Sequence, residues 1–167
     1  NLHAWQTGTA DQALRYKMVP MIGRSHGVHA EPITFGLKLA LAYDEFGRAI
    51  ERLTQMRERI RVGKISGAVG THAHLDPKIE STVCEKLGLK AATLSTQIVQ
   101  RDRHAEFMTT LAVIASSIDR WATECRNLQR PDVQEVDEFG GEGQKGSCAI
   151  PDQRRPHHNS PFHGMRA

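Results

Sequence analysis

Seven apolar residues, Phe107, Leu111, Ile114, Ile118, Trp121, Cys125 and Leu128, follow one another in alternating steps of four and three without a slip. That spacing returns every side chain to one face of a helix and is the seam of a coiled-coil-like pairing. The run ends before Pro131. A second stretch behaves alike: Leu39, Tyr43, Phe46, Ile50, Leu53 and Ile60 recur at three, four or seven. Asp44, Arg48, Glu51, Arg52 and Glu58 fill its other face. With Pro32 as a first-turn residue, it predicts one helix of about 25 residues up to Val62, roughly 38 Å long. Helices of that length exceed the globular norm, and each apolar stripe needs a partner as long as itself. The expected fold is therefore all-α, a long-helix bundle assembled between subunits.

The remaining segments punctuate these helices. Residues 1 to 22 read as the end of a helix followed by a short extended piece, because Pro20 biases Val19 away from helix. GKISGAVG (Gly63 to Gly70) is a glycine-rich break. Asp76 and Pro77 then open a short helix with Ile79, Val83 and Leu87 on one face, closed by Gly88. Residues 89 to 103 are polar and irregular. From Gln129 the composition shifts to an acidic stretch, then to the loop GGEGQKGS, then to a tail rich in Pro, His and Arg. This pattern divides the chain into a partial helical-bundle domain at residues 1–130 and a loop region with its tail at 131–167.

Composition excludes several classes of function. Hydrophobic residues at 39% and charged residues at 25% belong to a globular chain rather than a disordered one. The net charge of +3 suits an anionic small substrate and is too weak and dispersed for nucleic acid. No apolar run approaches the roughly 20 residues that a bilayer-spanning helix requires, and the first residues do not read as a leader. No membrane partner is expected. Cys84, Cys125 and Cys148 are odd in number and lack paired spacing, which points to free thiols in the cytoplasm. The chain opens at Asn1 in mid-pattern, so a segment of a longer protein is expected.

Two stretches carry chemistry. GRSHGVHAEPITFG (Gly23 to Gly36) holds His26 and His29 in a turn that runs into the first long helix. Imidazole is the side chain whose unperturbed pKa lies nearest neutrality. Either ring suits proton transfer, and spacing alone does not separate them. In GEGQKGSCAIPDQRRP (Gly141 to Pro156), glycines around Lys145 and Ser147 allow backbone N–H groups to point at an anion. Ser147 or Cys148 could act there as nucleophile or base, and a plain linker is the alternative. His72 and His74 flank Ala73 in the manner of a metal pair, but no third ligand is evident and no metal is expected. Arg101, Asp102 and Arg103 precede His104 at the start of the seam helix. They are read as a structural charge cluster in preference to a phosphate contact.

Four segments, GRSHGVHAEPITFGLKLAL, KISGAVGT, CEKLGLKAATLSTQIVQRDRHAEFMTTLAVIA and EFGGEGQKGSCAIP, resemble in order and spacing the adenylosuccinate lyases of the fumarase/aspartase superfamily. The resemblance runs to about Pro151. RDRHAEF and GQKGS favour that branch over argininosuccinate lyase, fumarase or aspartase. It implies a cofactor-free homotetramer whose active sites are built from three subunits. The implied reaction releases fumarate from adenylosuccinate, leaving AMP, and from the succinyl-carboxamide ribotide of purine biosynthesis. His26 then corresponds to the acid that protonates the departing nitrogen, Ser25 to a residue holding a substrate carboxylate, and Gln97 to a substrate-binding glutamine. Ser147 corresponds to the base that removes the Cβ proton, with Lys145 beside it, and His29 takes a supporting role. An anti elimination needs acid and base on opposite faces, hence on separate segments.

The chain departs from the family pattern after Ser147. Cys148 replaces a second serine and Ile150 a methionine, while Gln153 and Arg155 stand where lysine and asparagine belong. The family's N-terminal and C-terminal portions are expected to be missing, so the segment alone is expected to be inactive. The alternatives are another lyase of the superfamily, such as argininosuccinate lyase or carboxymuconate cycloisomerase, and a non-catalytic helical assembly module.

Overall fold

The structure is a computed structural model that describes residues 1–138 and 165–166. In chain order it contains α1 (Leu2–Arg15), β1 (Pro20–Ser25), β2 (Val28–Thr34), α2 (Phe35–Ile60), β3 (Val62–Gly63), α3 (Pro77–Lys86), β4 (Lys90–Ala91), α4 (Asp102–Leu128), β5 (Asp137–Glu138) and β6 (Met165–Arg166). Two compact units are formed, one by residues 1–50 with 114–167 and one by residues 51–113. The two long helices predicted from spacing are present, at 26 and 27 residues. Helix dominates, as expected of the bundle class.

The start of α2 differs from expectation. Pro32 lies in β2, paired with Ile22 of β1, where a strand with a free edge tolerates its missing N–H. The helix opens three residues later because the Thr34 hydroxyl accepts the Leu37 N–H at 3.1 Å, an N-cap that satisfies an otherwise unpaired donor.

In the first unit the core joins Phe35, Leu39, Ala42 and Phe46 of α2 to Trp121, Cys125 and Leu128 of α4, with Val136 beyond. The buried positions of α2, Phe35, Leu39, Ala42, Phe46 and Ala49, keep the four-three alternation. The stripe expected from bulky residues is shifted: Tyr43 is 45% exposed, and alanines occupy inward places. Small residues there let neighbouring helices approach closely. Along α4, Ile114, Trp121, Cys125 and Leu128 are buried while Leu111 is 40% exposed. Helix α1 closes the core, with the Trp5 ring edge-on to Phe46 at 5.4 Å.

Two further contacts hold this unit together. Gly36 donates its N–H to the Tyr16 carbonyl at 3.0 Å, and a Cβ there would come within 2.5 Å of the Ala13 carbonyl oxygen and the Lys17 Cα. Only glycine allows that approach. Along the edge of the core the Glu45 carboxylate accepts from the Trp121 indole at 2.9 Å and from Arg120. Burial alone would raise the Glu45 carboxyl. Hydrogen bonds from Arg120, Ser117 and Trp121, with the Arg120 charge, outweigh it and hold the group below its ordinary value.

In the second unit β3 and β4 pair in parallel, Val62 with Lys90 and Gly63 with Ala91. Asp76 caps α3 by accepting the Lys78 N–H at 2.9 Å, as its sequence predicts. The inward face of α3 is not the expected one. Ile79 and Leu87 are exposed, and Glu80 and Cys84 are buried. The cause is a local polar requirement: Glu80 accepts the Ile65 N–H at 2.6 Å, and His72 Nε2 lies 3.2 Å from its other oxygen. A buried carboxylate with both oxygens engaged is tolerated, and it turns the helix accordingly.

Two outcomes follow from these contacts. Gly36→Ala should lower unfolding stability by about 1–3 kcal/mol through overpacking, measured by denaturant titration; an unchanged midpoint contradicts the close approach. A depressed carboxyl stabilises the fold fully above its ordinary 4.5, and that contribution fades as pH falls through the folded-state value. Glu45→Gln should therefore make the acid-side fall in Tm shallower, and parallel curves for both proteins would argue against it.

Candidate active site

The segment carrying His26, expected as a turn running directly into the helix, is a β-hairpin. Strands β1 and β2 pair antiparallel from Pro20↔Thr34 to Ser25↔Val28, with an irregularity between Ile22 and Arg24. The pairing of Ser25 with Val28 leaves His26 and Gly27 as the two loop residues. Their φ angles are 55° and 77°, the pattern of a type I′ turn, whose twist matches the strands. Gly27 adopts this freely, whereas a non-glycine residue there bears a cost of about 1 kcal/mol. Ser25, His26 and His29 are all exposed. The hairpin therefore projects an imidazole at its tip, from a backbone set by paired strands.

The structure separates the two histidines that spacing could not. His29 stands on β2 opposite Arg24. Both line a cavity of about 400 Å³ with Gly27, Lys38, Glu124 and Asn127. The charges around it are already matched: Arg24 Nη1 donates to Glu135 at 2.6 Å and Lys38 pairs with Glu124. Arg24 and Lys38 are cavity residues that sequence reasoning did not single out.

Gln97 belongs to the second unit, on the segment between β4 and α4, and is exposed. Its neighbours are held by the glycine-rich loop. Ser66 and Ser95 share a hydrogen bond of 2.8 Å between their hydroxyls. At Gly70, with φ 84°, a Cβ would lie 1.9 Å from the Ser95 carbonyl oxygen. The loop GKISGAVG thus fixes the backbone just ahead of Gln97. Of the two histidines that flank Ala73, His72, at φ 53°, turns to Glu80, and His74 is exposed. Among the described residues no group of three or more His, Cys, Asp or Glu is placed to hold a metal ion. None of their helices is long and apolar enough to cross a membrane. Lys145 and Ser147, with Cys148, Gln153 and Arg155, lie outside the described residues.

The mostly helical fold agrees with what comparison with known proteins finds. A sequence profile of the family described as Lyase matches residues 1–165; the chain belongs to this lyase family. The curated relatives it matches include adenylosuccinate lyases. That of Bacillus subtilis (strain 168) is 56% identical over 155 residues, covering 93% of this chain and 36% of the relative. That of Synechocystis sp. (strain ATCC 27184 / PCC 6803 / Kazusa) is 53% identical over 154 residues, with 92% and 36% covered. The chain therefore spans about a third of the length of these relatives. Among solved structures, 3-carboxy-cis,cis-muconate lactonizing enzyme from Pseudomonas putida aligns with a TM-score of 0.78 at 29% identity, over 86% of this chain and 33% of that one. A fumarate lyase from Mesorhizobium sp. BNC1 aligns at 0.76 and 30%, over 82% and 33%.

If Gly70 supports the segment before Gln97, Gly70→Ala should speed amide hydrogen exchange across residues 94–97. Exchange equal to wild type there would show that the segment is held by other contacts.

Proposed function

We propose that the chain is the central part of an adenylosuccinate lyase, releasing fumarate from adenylosuccinate and from the succinyl-carboxamide ribotide of purine biosynthesis. The observation that carries this reading is the 56% identity over 155 residues to the Bacillus subtilis enzyme. In this reading Ser147 removes the Cβ proton of the succinyl group, the electron pair forms the fumarate double bond, and the Cα–N bond breaks. His26 gives a proton to the departing nitrogen. An anti elimination needs acid and base on opposite faces of the substrate, and an acid at the tip of a hairpin can reach one of them.

Ser25, beside His26, and Gln97 hold the substrate, and Lys145 adds positive charge near the developing dianion. Gln153 and Arg155 weaken that charge support, since a guanidinium does not reproduce an ammonium's position. We further propose a cytoplasmic homotetramer with active sites shared between subunits. Its support is the apolar surface left open on the long helices, where Leu37 and Leu41 of α2 are 62% and 54% exposed. The 167 residues by themselves carry part of the site and are expected to release no fumarate.

In a full-length lyase carrying this segment, His26→Gln should lower kcat by about 10²–10⁴-fold with a small change in KM, followed by fumarate absorbance. Undiminished kcat would remove His26 from the acid role.

A further inference from the structure

The second unit holds a cavity whose charges are not balanced. Its volume is about 300 Å³, and its wall combines Lys64, Arg101, Arg103 and His104 with the apolar Ile60, Val62, Ile98 and Val99. Among the described residues no carboxylate lines it. Asp102 lies between the two arginines in sequence but not in the wall. The acidic groups of this unit that form ion pairs are engaged elsewhere: Glu106 with Arg59, Glu58 with Arg61 and Lys90, and Glu80 with His72.

Two of the cations are held in place without being neutralised. Arg103 Nη1 donates to the Arg59 carbonyl at 2.6 Å, and the Lys64 ammonium donates to the Gly67 carbonyl. A guanidinium has five N–H donors and an ammonium three, so each keeps donors to spare. Neither Arg101 nor His104 has a side-chain partner among the described residues. Three permanent positive charges gathered on one small cavity repel one another unless an anion joins them.

We propose that this cavity is a binding site for a phosphate-type dianion, either free phosphate or a phosphate monoester. The charge count selects it: a phosphate group carries about −1.5 to −2 at neutral pH, a closer match to three cations than a single carboxylate. Guanidinium forks also suit phosphate oxygens geometrically. The volume is at the small end of ligand pockets, enough for the anion with a short adjoining group against Ile98 and Val99. This site does not depend on the roles given to His26 and Ser147, because its test reads binding and not turnover.

Isothermal titration of inorganic phosphate into the purified protein, at neutral pH and constant ionic strength held with chloride, tests the proposal. One saturable site is expected. The Arg101→Gln, His104→Gln double variant should weaken it by about tenfold or more, while Asp102→Asn leaves it intact or tighter. Glycerol 3-phosphate, a monoester without a nucleoside, in place of phosphate separates the sources: tighter binding points to a monoester, equal or weaker binding to the free ion. If the double variant does not fold by circular dichroism, Arg101→Lys keeps the charge, loses the fork and should still weaken binding. Absence of saturable heat, or equal affinity in wild type and Arg101→Lys together with the double variant, overturns the proposal. So does a change of oligomeric mass in the variants when wild type takes no phosphate, which assigns these cations to a protein contact.

Discussion

The first unit rests on one apolar seam, in which Phe35, Leu39, Ala42 and Phe46 of α2 meet Trp121, Cys125 and Leu128 of α4. Residues of α1 and β1, among them Leu2, Trp5, Ala13 and Met21, pack against it. Helix α1 joins it through the Trp5–Phe46 edge contact, and the chain from α1 into α2 closes at the crowded Gly36. The polar groups beside the seam reinforce its register. Glu45 reaches the indole of a core tryptophan, so the acid, the ring and Arg120 set the rotation of both helices at once. Disturbing the seam would therefore reach the hairpin as well, since β2 leads without a break into α2.

Much of this was legible in the residues. Unbroken four-three spacing located α4, and Asp76 with Pro77 located the start of α3. What could not be read was which residues of a helix turn inward when the deciding contact is small or polar. Ala42 and Ala49 carry little hydropathy of their own, yet they mark the inward face of α2, and the bulkier Tyr43 stays out. Glu80 faces inward because Ile65 and His72, fifteen and eight residues away in sequence, supply its partners. No local pattern encodes such a contact.

The candidate site was read in a different way. Spacing offered two equivalent histidines, and resemblance chose between them. The structure adds a physical distinction: His26 occupies a left-handed position at a hairpin tip, and His29 lines a cavity on a strand. The hairpin itself went unread because His-Gly is not among the commonest turn pairs, and because Pro32 looked like a helix start. Gln97 was chosen by resemblance alone, and its anchoring by the glycine-rich loop emerges only from the packing of Gly70 against Ser95.

The turn also limits which chemistry its tip can carry. A left-handed backbone excludes β-branched residues and disfavours most others, with Asn, Asp and His tolerated best among non-glycine residues. Of those three, only Asp and His titrate, and Asp is already ionised at neutral pH. At φ 55° the backbone thus acts as a filter on mutation: an imidazole can be kept at position 26, but few other side chains could take its place. The hairpin's geometry thus narrows the choice of side chain at its tip through the backbone alone.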